Sequence, residues 1–131
     1  MSVTVRWDNH ERTILRYFFE GDWTIEDYYQ KLEHGRTMMK GVSHPVCILN
    51  DMRRATNYPP NFVTHARTII KNRPHNTGLA VFLANSAFFN ALYRILSQVL
   101  PDVSTRYVLA HSEDEAYARI QQWRNDHQNA V

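Results

Sequence analysis

Three short apolar runs in this chain each stop at polar residues suited to hold an anion or a polar ligand. Val46-Cys47-Ile48-Leu49 gives way to Asn50-Asp51 and then Met52-Arg53-Arg54. Leu79-Ala80-Val81-Phe82-Leu83 gives way to Ala84-Asn85-Ser86, and Tyr107-Val108-Leu109-Ala110 to His111-Ser112. An arginine guanidinium can grip a phosphate or carboxylate through two parallel N–H donors. A helix that begins just beyond such a run aims free backbone amides at the same place. Asp51, Arg53, Arg54, Asn85, Ser86, His111 and Ser112 therefore form a candidate ligand-binding set, with Met52, Tyr58 and Phe88 as an apolar floor. The competing reading is structural: strand ends and helix caps are polar in any α/β protein, and Arg53-Arg54 is a solvated loop.

Other chemistries have less to stand on. The chain has four glycines, none in the spacing of a phosphate-binding loop, and no GxSxG nucleophile elbow. No HExxH or other paired-histidine spacing occurs, and His65 and His75 lie too far apart to share a helix face. Cys47 is the only cysteine, so there is neither an internal disulfide nor a cysteine zinc cluster. Inside the most apolar run its thiol acts as a small hydrophobe. A pairing of His111 with Asp51 would be the starting point for catalysis, but nothing requires it. No catalytic residue, metal ligand or cofactor is assigned.

The elements that must position these residues follow from periodicity. Val3, Val5 and Trp7 alternate with Thr4 and Arg6 as in a half-buried strand, and residues 13–19 form a second, more apolar one. Ile14, Arg16 and Phe18 share one face of it, and the two strands read as an antiparallel hairpin across the polar turn 8–12. Thr24 caps a helix whose stripe is Ile25, Tyr28, Tyr29, Leu32 and Met39, ended by Gly41. The buried run at 46–49 stops at Asn50-Asp51, and Pro59-Pro60 marks the first turn of the next helix. Phe62, Val63, Ala66, Ile69 and Ile70 are its apolar side. Asn85-Ser86 caps a third helix bearing Phe88, Phe89, Leu92, Ile95, Leu96 and Val99, which ends before Pro101. Ser112 and Glu115 make a capping box for a fourth, with Tyr117, Ile120 and Trp123 buried.

Uninterrupted apolar strands alternating with amphipathic helices mean a mainly parallel sheet. The expected fold is a single α/β domain: a mixed five-stranded sheet with an N-terminal antiparallel hairpin and four helices, in the order β-β-α-β-α-β-α-β-α. Its 131 residues suffice for one core, spanning 1–125, with a polar tail at 126–131 expected to fray. A formal charge of +2 is too small for a nucleic-acid partner. The longest uncharged stretch, 76–93, is broken by Asn85, Ser86 and Asn90, so no membrane insertion is expected. Residues 1–6 lack the apolar segment of a signal peptide, which makes the cytoplasm the expected location.

This order of elements resembles the STAS family, which includes sulfate-transporter domains and anti-sigma-factor antagonists, and more distantly the CRAL-TRIO lipid-binding domains. The resemblance spans about residues 3–123 and is carried by Cys47-Ile48-Leu49-Asn50-Asp51, Gly78-Leu79-Ala80-Val81-Phe82-Leu83 and Tyr107-Val108-Leu109-Ala110. It is nearest to uncharacterised bacterial STAS-like proteins. Antagonists of that family carry a phosphorylatable serine at the start of the helix after the central strand. Here that place reads Asn57-Tyr58-Pro59-Pro60-Asn61, with no hydroxyl other than tyrosine's. The resemblance implies a non-enzymatic module regulating through a protein partner or self-association. The alternative is a binding protein for a small anion, nucleotide or lipid-like ligand at the strand ends.

Overall fold

The computed structural model describes residues 2–101 and 103–128. The hairpin of β1 (Ser2–Trp7) and β2 (Ile14–Gly21) is antiparallel, with Val3 opposite Phe19 and Arg6 opposite Arg16. Helix α1 (Ile25–Lys40) follows, then β3 (Val46–Ala55), α2 (Phe62–Lys71), β4 (Thr77–Leu83) and α3 (Ala87–Val99). A single turn α4 (Val103–Arg106), β5 (Tyr107–Ala110) and α5 (Glu113–Gln128) complete the order. The sheet runs β1-β2-β3-β4-β5, parallel from β2 onward. This is the expected mixed α/β architecture, with α4 added.

The strand order explains the layering. When successive parallel strands add in one direction with crossovers of one hand, every crossover helix falls on the same side of the sheet. Helices α1, α2 and α3 accordingly bury Leu15, Tyr17, Ile48, Ala80 and Phe82 on one face. The other face would be bare but for α5, which returns across it and buries Cys47, Leu49, Val81 and Val108 with Ala116 and Ile120. Leu49 and Val81 are paired neighbours in the register, each with no exposed surface, as their apolar runs require. Gly78 permits this closure, because a Cβ there would lie 2.7 Å from the Trp123 ring. Helix α5 packs mainly on β4 and β5, reaches β2 at Ile14 and Arg16, and leaves the face open around Arg6 and Phe18.

Local signals set the helix starts. Thr24 accepts a hydrogen bond from Asp27 N at 3.2 Å, Ser86 from Phe89 N at 3.1 Å and Ser112 from Glu115 N at 3.1 Å. The Glu115 carboxylate turns back one residue further than a capping box would, accepting from His111 N at 2.6 Å.

Four expectations change. Strand β3 does not stop at Asn50-Asp51; it runs on through Met52, Arg53 and Arg54 to Ala55, because β2 offers pairing partners as far as Gly21. Pro59-Pro60 precede α2 instead of forming its first turn, which begins after Asn61 in the left-handed region at φ 62°. The α3 stripe is split: Phe89 and Leu96 are fully buried, while Phe88, Ile95 and Val99 face outward. The expected tail is helical through Gln128, held by Gln122 donating to Asp126 at 2.9 Å and His127 stacked 4.0 Å from Trp123. The rest of that expected tail, 129–131, lies outside the described residues.

Candidate functional site

Strand alternation sends Asn50 and Asp51 to opposite faces, and each stands at the centre of a different site. On the face shared with α5, Asp51 sits in an ion cluster. Its Oδ2 accepts from Arg16 Nη2 at 2.7 Å and from Arg53 Nη2 at 2.8 Å, and its Oδ1 from Arg53 Nε at 3.0 Å. Arg16 also donates to Glu113 at 2.7 Å, to Asp8 at 3.2 Å and to the Tyr117 hydroxyl at 3.1 Å. Tyr117 in turn donates to Asp8 at 2.7 Å. The cluster therefore joins the first turn, β2, β3 and α5.

Its charges are mutually paired, although among the described residues one buried donor, Arg16 Nε, has no partner. Burial acts to raise the Asp51 pKa, but the bonds from Arg53 and Arg16 outweigh it and hold the carboxyl at about 2. Burial alone would lower the Arg16 pKa, yet its bonds to Asp51, Glu113 and Asp8 drive it upward. The Tyr117 hydroxyl is pushed up to about 12 by burial and by its bond to Asp8. Beside the cluster the open part of the face forms a polar cleft of about 540 Å³. There the Arg6 and Arg16 guanidiniums lie 4.7 and 4.6 Å from the Phe18 ring centre.

The seven residues expected to form one anion site are not gathered into one. Asp51 and Arg53 belong to the ion cluster, where Arg53 Nε and Nη2 already donate to Asp51 and Glu113, and Arg54 lines the cleft. Asn85 and Ser86 lead into α3 on one side of the sheet, whereas His111 and Ser112 lead into α5 on the other. The helix starts share an edge but not a face. His111 does not pair with Asp51, since its Nδ1 lies 3.1 Å from the Ala84 carbonyl. Of the expected floor, Tyr58 and Phe88 do meet, stacked 5.4 Å apart, and Met52 is buried.

On the helix-covered face, Asn50 lies between Tyr17 and Phe82 in the register, is 5 % exposed, and its Oδ1 has no hydrogen-bond partner. It lines a cavity of about 450 Å³ between α1 and α2. Pro74, Thr77 and Tyr107 also line it, which places it toward the amino ends of β4 and β5, away from the edge expected to bind. Tyr29 Oη lies 2.8 Å from His65 Nδ1, linking the two helices. Residues missed by the sequence reading were Asp8, Arg16, Glu113 and Tyr117 in the cluster and Asn50 as a cavity residue. Arg16 carried a usable signal, a charge flanked on both sides by apolar residues of β2, whereas Asn50 carried none, since Asp51, Arg53 and Arg54 follow it in β3.

Sheet order, hairpin and helix layers define a SpoIIAA-like α/β domain, the architecture of STAS-type proteins. A similar solved structure is that of an uncharacterised protein from the DUF3478 family with a SpoIIAA-like fold, from Shewanella loihica PV-4. It matches with a TM-score of 0.67 over 90 % of this chain and 93 % of that one, at 12 % sequence identity. At that identity the likeness is one of fold. No protein-family model and no curated protein matches the chain. Among the described residues no helix is long and apolar enough to cross a membrane, and no cluster of three or more His, Cys, Asp or Glu could hold a metal ion.

Proposed function

We propose that this protein is a non-enzymatic, cytoplasmic regulatory module that works by protein contact, and that its docking face is α3, taken by α3 of a second copy. One observation carries the reading. Phe88, Ile95 and Val99 are 61, 48 and 44 % exposed, and with half-buried Leu92 they recur at steps of four, three and four residues. That spacing is a helix–helix seam, and an apolar row of this kind is seldom left bare. No charged residue interrupts the row, and the one charge on α3, Arg94, lies off it by helical spacing. Two copies can therefore meet antiparallel, Phe88 against Val99, without like charges facing each other.

The nucleophile candidates support a role without catalysis. Burial pushes the Cys47 thiol up to about 11, and the Ser86 and Ser112 hydroxyls are engaged as helix caps. A lone reduced thiol also suits a reducing compartment.

Sedimentation velocity across the micromolar range tests the proposal. The wild type should pass from monomer to dimer, and the Ile95→Glu/Val99→Glu protein should stay monomeric with unchanged melting, because both positions are exposed and neither carries a ring stack like that of Phe88 on Tyr58. A wild type that stays monomeric throughout sinks self-docking, and a dimer that survives both substitutions moves the interface elsewhere.

A further inference from the structure

We propose that the cavity between α1 and α2 binds a small planar aromatic molecule that donates a hydrogen bond from its inner end to Asn50 Oδ1. The cavity holds about 450 Å³, within the usual range of small-molecule sites. Its walls are mixed, with apolar and aromatic side chains beside polar ones such as Asn50, Thr68, Asn72 and Thr77. Tyr28, Tyr29 and Leu32 come from α1 and Ile69 from α2, with Ile48 and Ala80 on the sheet beneath. No α3 residue lines it, so it stands apart from the docking face.

Asn50 is the feature that packing does not explain. A buried amide oxygen left without a partner costs free energy that an apolar residue of the same shape would avoid. Its neighbours on this face of β3, Val46, Ile48 and Met52, are all apolar. A single water could meet the oxygen, but a water takes up only about 30 Å³ and would leave most of the cavity empty. An N–H or O–H on a ring-shaped ligand would satisfy the oxygen and fill the space together.

The aromatic preference comes from the walls. Tyr17 and Tyr28 stand edge to face at 5.9 Å and 83°, and a flat ligand can join such an arrangement. Burial drives the Tyr17 pKa upward, so its hydroxyl remains neutral. Two small residues keep the space open. A Cβ on Gly35 would collide with the Tyr17 hydroxyl, and Ala80 sits in the floor where a longer side chain would fill the cavity. At the rim, Arg36 is half-buried with Glu33 3.7 Å away, which allows a polar substituent to project outward.

The test is an amide-resolved NMR titration of the whole chain with indole and with benzofuran, which share a shape but differ in the N–H donor. Both should shift amides around Leu32, Thr68 and Ala80, and indole should bind about ten-fold tighter, the scale of one well-placed hydrogen bond. Asn50→Leu should erase that preference while still admitting both probes. Thr68→Trp, at an exposed position of α2, should block both by filling the mouth. Equal binding of the two probes by the wild type, or a preference that survives Asn50→Leu, overturns the role of Asn50. Absence of binding at millimolar probe, or unchanged binding in Thr68→Trp, overturns the site itself.

Discussion

Asn50 and Asp51 are consecutive on β3, almost equally buried at 5 and 6 %, and yet their surroundings are opposite in kind. Asp51 has both carboxylate oxygens bonded by two arginines, and those arginines are bonded again by Asp8 and Glu113. Asn50 has an oxygen bonded to nothing and stands in the wall of an open volume. A buried charge is tolerated only when paired and bonded, so Asp51 must be paired to be stable. An orphaned neutral amide costs far less and can be kept where a ligand supplies the missing bond. The difference teaches where to look for binding in this molecule: the charged side has its carboxylate fully bonded and leaves one buried donor, Arg16 Nε, unpaired, whereas the Asn50 side lines an empty volume.

Substitutions can break or sharpen that contrast. The largest effect is expected from Arg16→Met, which leaves buried Asp51 and half-buried Asp8 without their shared partner. It should lower unfolding free energy by about 3–5 kcal/mol in urea titration. A loss under roughly 1 kcal/mol would show the cluster to be as weak as exposed ion pairs.

Asp51→Asn should cost about 2 kcal/mol at pH 7, the value of a carboxyl held at about 2 against its usual 3.8. The sign follows from that depression. The folded state favours the ionised form, so the stabilisation is complete above about pH 4 and is lost as the pH falls towards 2. Denaturation midpoints of the wild type should fall through this window, and those of Asp51→Asn should fall less. Parallel curves would place the acid sensitivity in another carboxylate.

The smallest effect is expected one residue away. Without ligand, Asn50→Leu removes an unpartnered oxygen from an apolar floor and should be neutral or stabilising by up to about 1 kcal/mol. Should it destabilise as much as Asp51→Asn, the two sides are alike and the oxygen already has its partner. Substitution at neighbouring positions would then separate nothing.

Much of this was legible before any fold was known, because it depends on contacts within a few residues. Alternation at Val3, Val5 and Trp7 marks β1, and the hydroxyls of Thr24, Ser86 and Ser112 mark helix starts by bonding amides three residues on. The apolar runs around Leu49 and Val81 announce strands with both faces covered. Parallel strands linked by helices then follow from order alone.

What the tertiary structure decided are matters of side and extent. The length of β3 depends on how far β2 runs beside it, which residues 46–55 do not encode. The outward turn of Phe88, Ile95 and Val99 depends on which half of a broad apolar stripe meets the sheet. The partners of Arg16 come from positions 8, 51, 113 and 117, up to 101 residues away. The split of the expected anion site has the same origin, since three helix starts at one sheet edge can lie on either face of it. Local propensity sets what each segment is. Only the burial of one segment against another sets which side it shows, and the candidate sites here lie where that burial is incomplete.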